Sequence, residues 1–222
     1  MIRKTTRSIL SVLLAALLLV TSIPLTPAFA GEEGAVSLQS ESGESEGLTG
    51  DGTREDPYQI GSAEQLAKFR DKVNSGETDA SAVLTDDIVL NEKIEVDDNG
   101  AVTNQEKLSE WTPIGNSSRP YRGTFDGANY TISGLYIDSN ADYQGLFGYV
   151  GSSGKVQNLT VSGSVSGNNY VGGVVGQNGG RITDCAFTGS VSGNRSVGGV
   201  VGDNCGGSVT NSYNTGSVSG PD

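Results

Sequence analysis

The residues best spaced for chemistry lie between Glu95 and Glu106. Asp97, Asn99, Gly100, Val102 and Glu106 there fall at positions three, five, six, eight and twelve of an EF-hand-like loop, whose oxygens can wrap a calcium ion. The leading reading of the same stretch is a hairpin, because Asn99-Gly100 between Ile94–Val96 and Ala101-Val102 is a type I′ turn signal and position one is Glu rather than Asp. Calcium on Asp97, Asn99 and Glu106 is the alternative, and no other metal or cofactor is expected. Paired carboxylates would suit polysaccharide cleavage, and Asp86, Asp87, Asp126 and Asp138 are available for it. From residue 143 onward, however, the only acids are Asp184, Asp203 and Asp222. A solvated turn is the expected role of each acid. The chain has no histidine, which removes Ser-His and Cys-His nucleophile pairs and the HExxH zinc helix. Glycine strings at 172–176 and 198–202 lack the Lys-Ser/Thr and the helix start of a phosphate cradle. No catalytic residue is expected. Tyr143, Tyr149 and Tyr170 flank those strings, where they can offer a stacking surface for sugars or serve as packing.

What positions these residues is a repeat. The string GSVSG occurs at 163–167, 189–193 and 216–220, a spacing of 26 and then 27 residues. In that register Val156, Ile182 and Val209 align, as do Val165, Val191 and Val218. Gly145-Leu146-Phe147-Gly148 aligns with Gly173-Val174-Val175-Gly176 and Gly199-Val200-Val201-Gly202. Runs such as Lys155–Val161 and Ser164–Ser166 are β-branched and short, and no window holds a helical apolar stripe. A unit of this length cannot close its own core, so each strand must pair with its counterpart one repeat along. The expected fold is all-β, a right-handed parallel β-helix of roughly five coils, with the hand taken from the general rule for parallel crossovers. Equivalent residues then stand about 4.8 Å apart in columns. The column Asn158/Asp184/Asn211 is expected at a turn, where side chains can hydrogen-bond along the axis.

Between 51 and 140 the period is looser, with short strands expected at Tyr58–Ile60, Ala82–Leu84, Ile88–Leu90, Ile94–Val96, Thr112–Ile114 and Thr131–Ile137. One helix interrupts them. Ser62 and Gln65 form a capping box, Ala63, Leu66, Phe69 and Val73 share a face, and Gly76 follows the end. Residues 62–74 are therefore assigned as an amino-terminal cap over the open end of the solenoid.

These landmarks carry a resemblance. Gly50-Asp51-Gly52-Thr53, Asp56-Pro57-Tyr58-Gln59-Ile60, Asp87-Ile88, Trp111-Thr112-Pro113-Ile114-Gly115, the stretch from Tyr121 to Gly127 and Gly145-Leu146-Phe147-Gly148 follow one another as in the GLUG-motif surface proteins of bacteria. The resemblance spans most of 50–220, although the later copies have Val-Val where the motif has Leu-Phe. It implies a parallel β-helix on secreted or wall-attached, adhesin-like proteins, and it extends to some IgA-specific metallopeptidases. Their HExxH zinc site does not transfer to a chain without histidine.

Composition sets the remaining expectations. Glycine contributes 33 of 222 residues and the net charge is −12, which argues against nucleic acid as a partner. Arg3, Lys4 and Arg7, the apolar run Ile9–Val20 and Ala28-Phe29-Ala30 read as a signal peptide over 1–30, cleaved after Ala30, with no membrane span in the mature chain. Residues 31–50 read as a disordered acidic Ser/Gly/Glu linker, 51–140 as cap and first coils, and 141–222 as repeats of about 26 residues. Cys185 and Cys205 could form a disulfide or stay free. The expected function is a secreted or cell-surface interaction scaffold that meets a glycan or surface protein. The alternatives are a polysaccharide lyase or hydrolase and a structural spacer. The solenoid's carboxy-terminal end is an expected point of association.

Overall fold

The computed structural model describes residues 47–98 and 100–220. The expected signal peptide, its cleavage point and most of the expected linker lie outside these residues, as does Asn99. Leu48 packs against the core and Thr49 bridges Gln59, so these last residues of the expected linker belong to the fold.

The first part supplies β1 (Tyr58–Ile60), α1 (Ala63–Ser75), β2 (Ala82–Leu84), β3 (Ile88–Val89), β4 (Thr124–Asp126) and β5 (Thr131–Asp138). The repeats supply β6 (Phe147–Val150), β7 (Lys155–Ser166), β8 (Asn169–Gly172), β9 (Val175–Asn178), β10 (Arg181–Ser192), β11 (Arg195–Gly198), β12 (Val201–Asn204), β13 (Ser208–Thr210), β14 (Tyr213–Asn214) and β15 (Ser217–Ser219). Strands β1, β2, β4, β7, β10 and β13 stack in that order, all in parallel. They are the first rungs of a β-solenoid of about 6 turns. The expected count of roughly five is one short because β4 carries no turn-bounded apolar run that marks it in the sequence. A second set, β3 and β5, continues onto the far halves of β7 and β10 and on to β14 and β15, while β6/β9/β12 and β8/β11 close the coil.

The register follows the repeat. Val156, Ile182 and Val209 are partners, as are Val165, Val191 and Val218. The two expected runs in each repeat are one continuous strand, 12 residues in β7 and in β10, bent twice by residues of positive φ. At the first bend Asn158, Asp184 and Asn211 all have φ between 51° and 53°. Asn and Asp tolerate this left-handed conformation best among residues with a side chain, and this conformation unites the column. Asn158 donates to Asp126 (2.9 Å), outside its own column. The amide ladder expected there lies elsewhere, at the corner after β9, where buried Asn178 donates to Asn204 one coil on (2.8 Å) and accepts from the Gly180 N–H (2.9 Å). The corner between Val150 and Lys155 has four residues, and its equivalents after Asn178 and Asn204 have two and three, yet the flanking rungs stay in register.

Helix α1 forms where expected. The Ser62 side chain accepts from the Gln65 N–H (3.2 Å), Gln65 returns the bond to the Gly61 N–H (2.8 Å), and Gly76 (φ 137°) closes the last turn. Its Leu66, Phe69 and Val73 are fully buried. Phe69 meets the rings of Tyr58, Tyr121 and Phe125 at 6.4, 6.0 and 5.8 Å, so the helix plugs the end of the core with an aromatic cluster. The expected strand Thr112–Ile114 reduces to one bridge, Ile114 to Phe147. Pro113 has no N–H to give a ladder, and Asn74 of α1 takes the neighbouring groups, Pro113 C=O and Gly115 N–H. The stretch after Asn91 leaves the coil altogether, pinched at its base by Asn91, whose side chain bonds the Ser109 N–H and C=O and the Gly134 C=O.

Both cysteines are free, Cys185 buried and Cys205 exposed. They occupy different columns, Cys185 beside Leu159 and Cys205 in the corner after Asn204. Burial raises the Cys185 thiol to about 11, so it stays protonated and shielded in mild alkali. Iodoacetamide is expected to label Cys205 alone in the folded chain and both after denaturation, read by peptide mass. Labelling of Cys185 in the folded chain would show that the column is open.

Candidate functional site

The stretch after Glu95 closes as the hairpin expected of it rather than as the alternative calcium loop. Val96 bridges Val102, the Asp97 N–H bonds Ala101 C=O (2.9 Å), and an Asp97 carboxylate oxygen accepts from the Ala101 N–H (2.9 Å). Asp97 is thus committed to closing the turn, and Glu106 sits in a separate 3-10 turn, Gln105–Lys107. Among the described residues no group of three His, Cys, Asp or Glu converges for a metal.

Two of the acids considered for catalysis, Asp87 and Asp126, serve the scaffold. Asp87 accepts from the Thr131 N–H (2.7 Å), and Asp126 accepts from Gln157, Asn158 and the Ala128 N–H. Burial pushes the Asp126 carboxyl up, but the donors from Asn158, Ala128 and Gln157 outweigh it and hold it below the ordinary range. Asp184 and Asp203 lie in different columns, as expected, Asp184 in that of Asn158 and Asp203 in that of Gln177.

The structure does bring together the three tyrosines. Two adjacent columns run outside the coil at this face, Tyr143/Tyr170/Ser196 and Tyr149/Gln177/Asp203. Tyr143 stacks on Tyr149, with ring centroids 6.1 Å apart and planes at 9°, and on Tyr170, at 5.0 Å and 24°. Tyr143 is the ring common to both contacts. The next residue in its column is Ser196, too small to cover a ring, so Tyr170 carries no aromatic neighbour on that side. Gln177 donates to Asp203 across the neighbouring column (2.7 Å), which sets an amide and a carboxylate beside the end of the stack. Burial, then Tyr170 and Asp142, raises the Tyr143 phenol, so it remains a neutral donor.

Tyr143, Tyr170 and Ser196 have φ of 62°, 59° and 52°. A bulky side chain in this region is uncommon and costs about 1–3 kcal/mol. The turn demands it because the carbonyls of Tyr143 and Tyr170 point at Gly148 and Gly176, where a Cβ would stand 2.9 and 2.7 Å from them. The second glycine of the first two Gly-x-x-Gly strings thus makes room for a left-handed residue shortly before it. In the first glycine's place, a Cβ on Gly173 would lie 2.2 Å from the Phe187 ring. These glycines are there for packing.

One turn of this pattern, residues 167–192, matches the family model described as the GLUG motif. The chain carries a GLUG repeat. The matched length equals one coil, from the corner before β8 to the end of β10. Among curated proteins, one named Gly-rich membrane protein from Evansella cellulosilytica is 31% identical over 54% of this chain and 14% of its own length. Halomucin from Haloquadratum walsbyi is 39% identical over 59% of this chain and 1% of its own length. A crystal structure of a protein named as an immunoglobulin A1 protease from Bacteroides ovatus superposes with a TM-score of 0.57 at 28% identity, covering 75% of this chain and 49% of that one. The chain spans a small part of these relatives and about half of that structure. Among the described residues no helix is long and apolar enough to cross a membrane.

The stack was partly legible, since the sequence names its three tyrosines. Its polar neighbours were not, because Gln177 and Asp203 join Tyr149 only once the coil register is known. A count of residues from each Gly-x-x-Gly would have aligned all three.

Proposed function

We propose that this chain is a non-catalytic β-solenoid scaffold of the cell surface that binds a glycan at the open end of its tyrosine stack. The observation that carries this reading is the Tyr149–Tyr143–Tyr170 stack, held by strained backbone, with a partly exposed Tyr170 that has no second aromatic neighbour, beside Gln177 and Asp203. Aromatic faces receive the C–H face of a sugar, and an amide–carboxylate pair can share its hydroxyls. The names of the relatives, a membrane protein and a halomucin, support a surface setting. The protease activity named for the solved structure is not assigned to this chain, which has no histidine for an HExxH zinc site.

The test is a glycan array probed with the full chain and with Tyr170→Ser, which copies the residue found one coil on at Ser196 in the same backbone conformation. Retention by the parent and its loss in the variant, at an unchanged melting temperature, is the expected result. Equal retention by both, or release of reducing or unsaturated sugar, would overturn the reading.

A further inference from the structure

A second feature stands at the corner between β9 and β10 and its equivalents along the axis. The corner residues leave a cleft of about 480 Å³ whose charged lining is Arg54, Lys155 and Arg181, with Ser152, Ser153 and Ser208 among the rest. No Asp or Glu lines it. In a chain of 26 acids and 14 bases, such a surface should attract carboxylates. The ion pairs among the described residues are Lys68–Glu64, Arg70–Asp71, Lys72–Glu77 and Lys93–Glu95, so none of the three cleft cations pairs with a described acid. Arg122 adjoins them, its carbonyl accepting from the Ser153 hydroxyl (3.3 Å), and it too makes no ion pair with a described residue.

The scaffold fixes the backbone positions that carry these charges. Lys155 and Arg181 are register partners on neighbouring rungs, about 4.8 Å apart along the axis, and Ser208 continues their column. Arg54 sits in a turn closed by bonds from the Thr53 N–H to Asp51 (2.9 Å), from the Asp56 N–H to the Thr53 hydroxyl (3.0 Å) and from the Gly52 N–H to Asp56 C=O (3.0 Å). Glycines at 154, 179, 180, 206 and 207 keep the floor free of side chains. The result is a line of cations along the solenoid axis.

The geometry points to a binding site for an acidic glycan, one that carries carboxylate or sulfate groups at intervals and lies along the axis across this corner. A line of fixed cations over several rungs suits a polymer with repeated anions better than a single ion. The inference shares the surface setting of the proposed function but uses none of the tyrosine site.

The test measures binding of the full chain to a heparin oligosaccharide, a polygalacturonate oligosaccharide, neutral dextran and inorganic sulfate, at low and high salt. The variant is Lys155→Ser with Arg181→Ser, which extends Ser208 along its own column and leaves the inward rungs untouched. Expected are binding of at least one acidic oligosaccharide but not dextran, weakening with salt, and a loss of roughly tenfold or more in the double variant at unchanged melting temperature. Tyr170→Ser should leave this binding intact. Absence of binding to both acidic oligosaccharides, binding unchanged by the double variant, or sulfate binding as tightly as the oligosaccharides would overturn the inference. Tyr170-dependent retention of another glycan would still leave the scaffold reading standing.

Discussion

Phe69→Ala is expected to destabilise the fold by about 3–5 kcal/mol, the range for removing a buried aromatic ring. Phe69 is fully buried and touches three rings. Its loss opens a cavity where α1 seals the first coil. Tyr121 forms the floor of that cavity, its hydroxyl bonded to the Ala80 carbonyl (3.0 Å) and its far face packed on Phe147 at 5.3 Å, so the wall cannot collapse inward without breaking a buried hydrogen bond. Domain stabilities are about 5–15 kcal/mol, so the change removes a large share. Thermal melting should fall by about 10 °C or more. Lys68→Ala is the control: it deletes an exposed pair with Glu64 at 2.7 Å, and such pairs contribute about 0.5 kcal/mol or less. Similar melting for both variants would show that α1 lies on the solenoid without plugging it.

The second large effect is expected at Gly189, the second bend of β10. Its φ is 141°, and a Cβ there would lie 2.0 Å from the Gly163 carbonyl oxygen; Gly163 stands in the same relation to Leu135, and Gly216 to Gly189. Each rung is held to the next by its hydrogen-bond ladder, so the clash cannot relax by local movement. Gly189→Ala should cost about 3 kcal/mol or more, combining backbone strain with overpacking. Gly100→Ala separates the two contributions, since Gly100 has φ 83° and a Cβ added there would meet nothing within 4 Å; it should lose only about 1–2 kcal/mol. Chemical denaturation of both variants gives the comparison. Equal losses would mean that conformational strain alone governs these bends.

The solenoid could be read from the sequence because its repeats preserve residue type where rungs stack. Val165, Val191 and Val218 sit in one column, and spacings of 26 and then 27 residues became the ladder register without revision. The amide ladder was misplaced by one strand because Asn answers to two demands, stacking and left-handed backbone. Composition shows the residue and not the reason for it. Asn158 meets the second demand and Asn178 the first. The cleft cations were invisible for another reason: Arg54 reaches Lys155 and Arg181 only after the chain has wound through the intervening coils. Likewise Tyr143 stacks on Tyr149 because of how β6 follows its turn, which periodicity does not encode.

The corners of four, two and three residues separate two kinds of inheritance. Rungs are bound to their neighbours by a continuous ladder and change only together, whereas a corner is tied to the coil before it at a few points, such as the Gly179 N–H on the Val150 carbonyl (2.7 Å), and can vary in length between them. Closing a slightly longer loop costs little. The chain can therefore gain or lose residues at the rim that carries Lys155 and Arg181 while the interior is copied unaltered. Diversity in what such a solenoid meets can accumulate one coil at a time, with no need for the architecture to evolve alongside it.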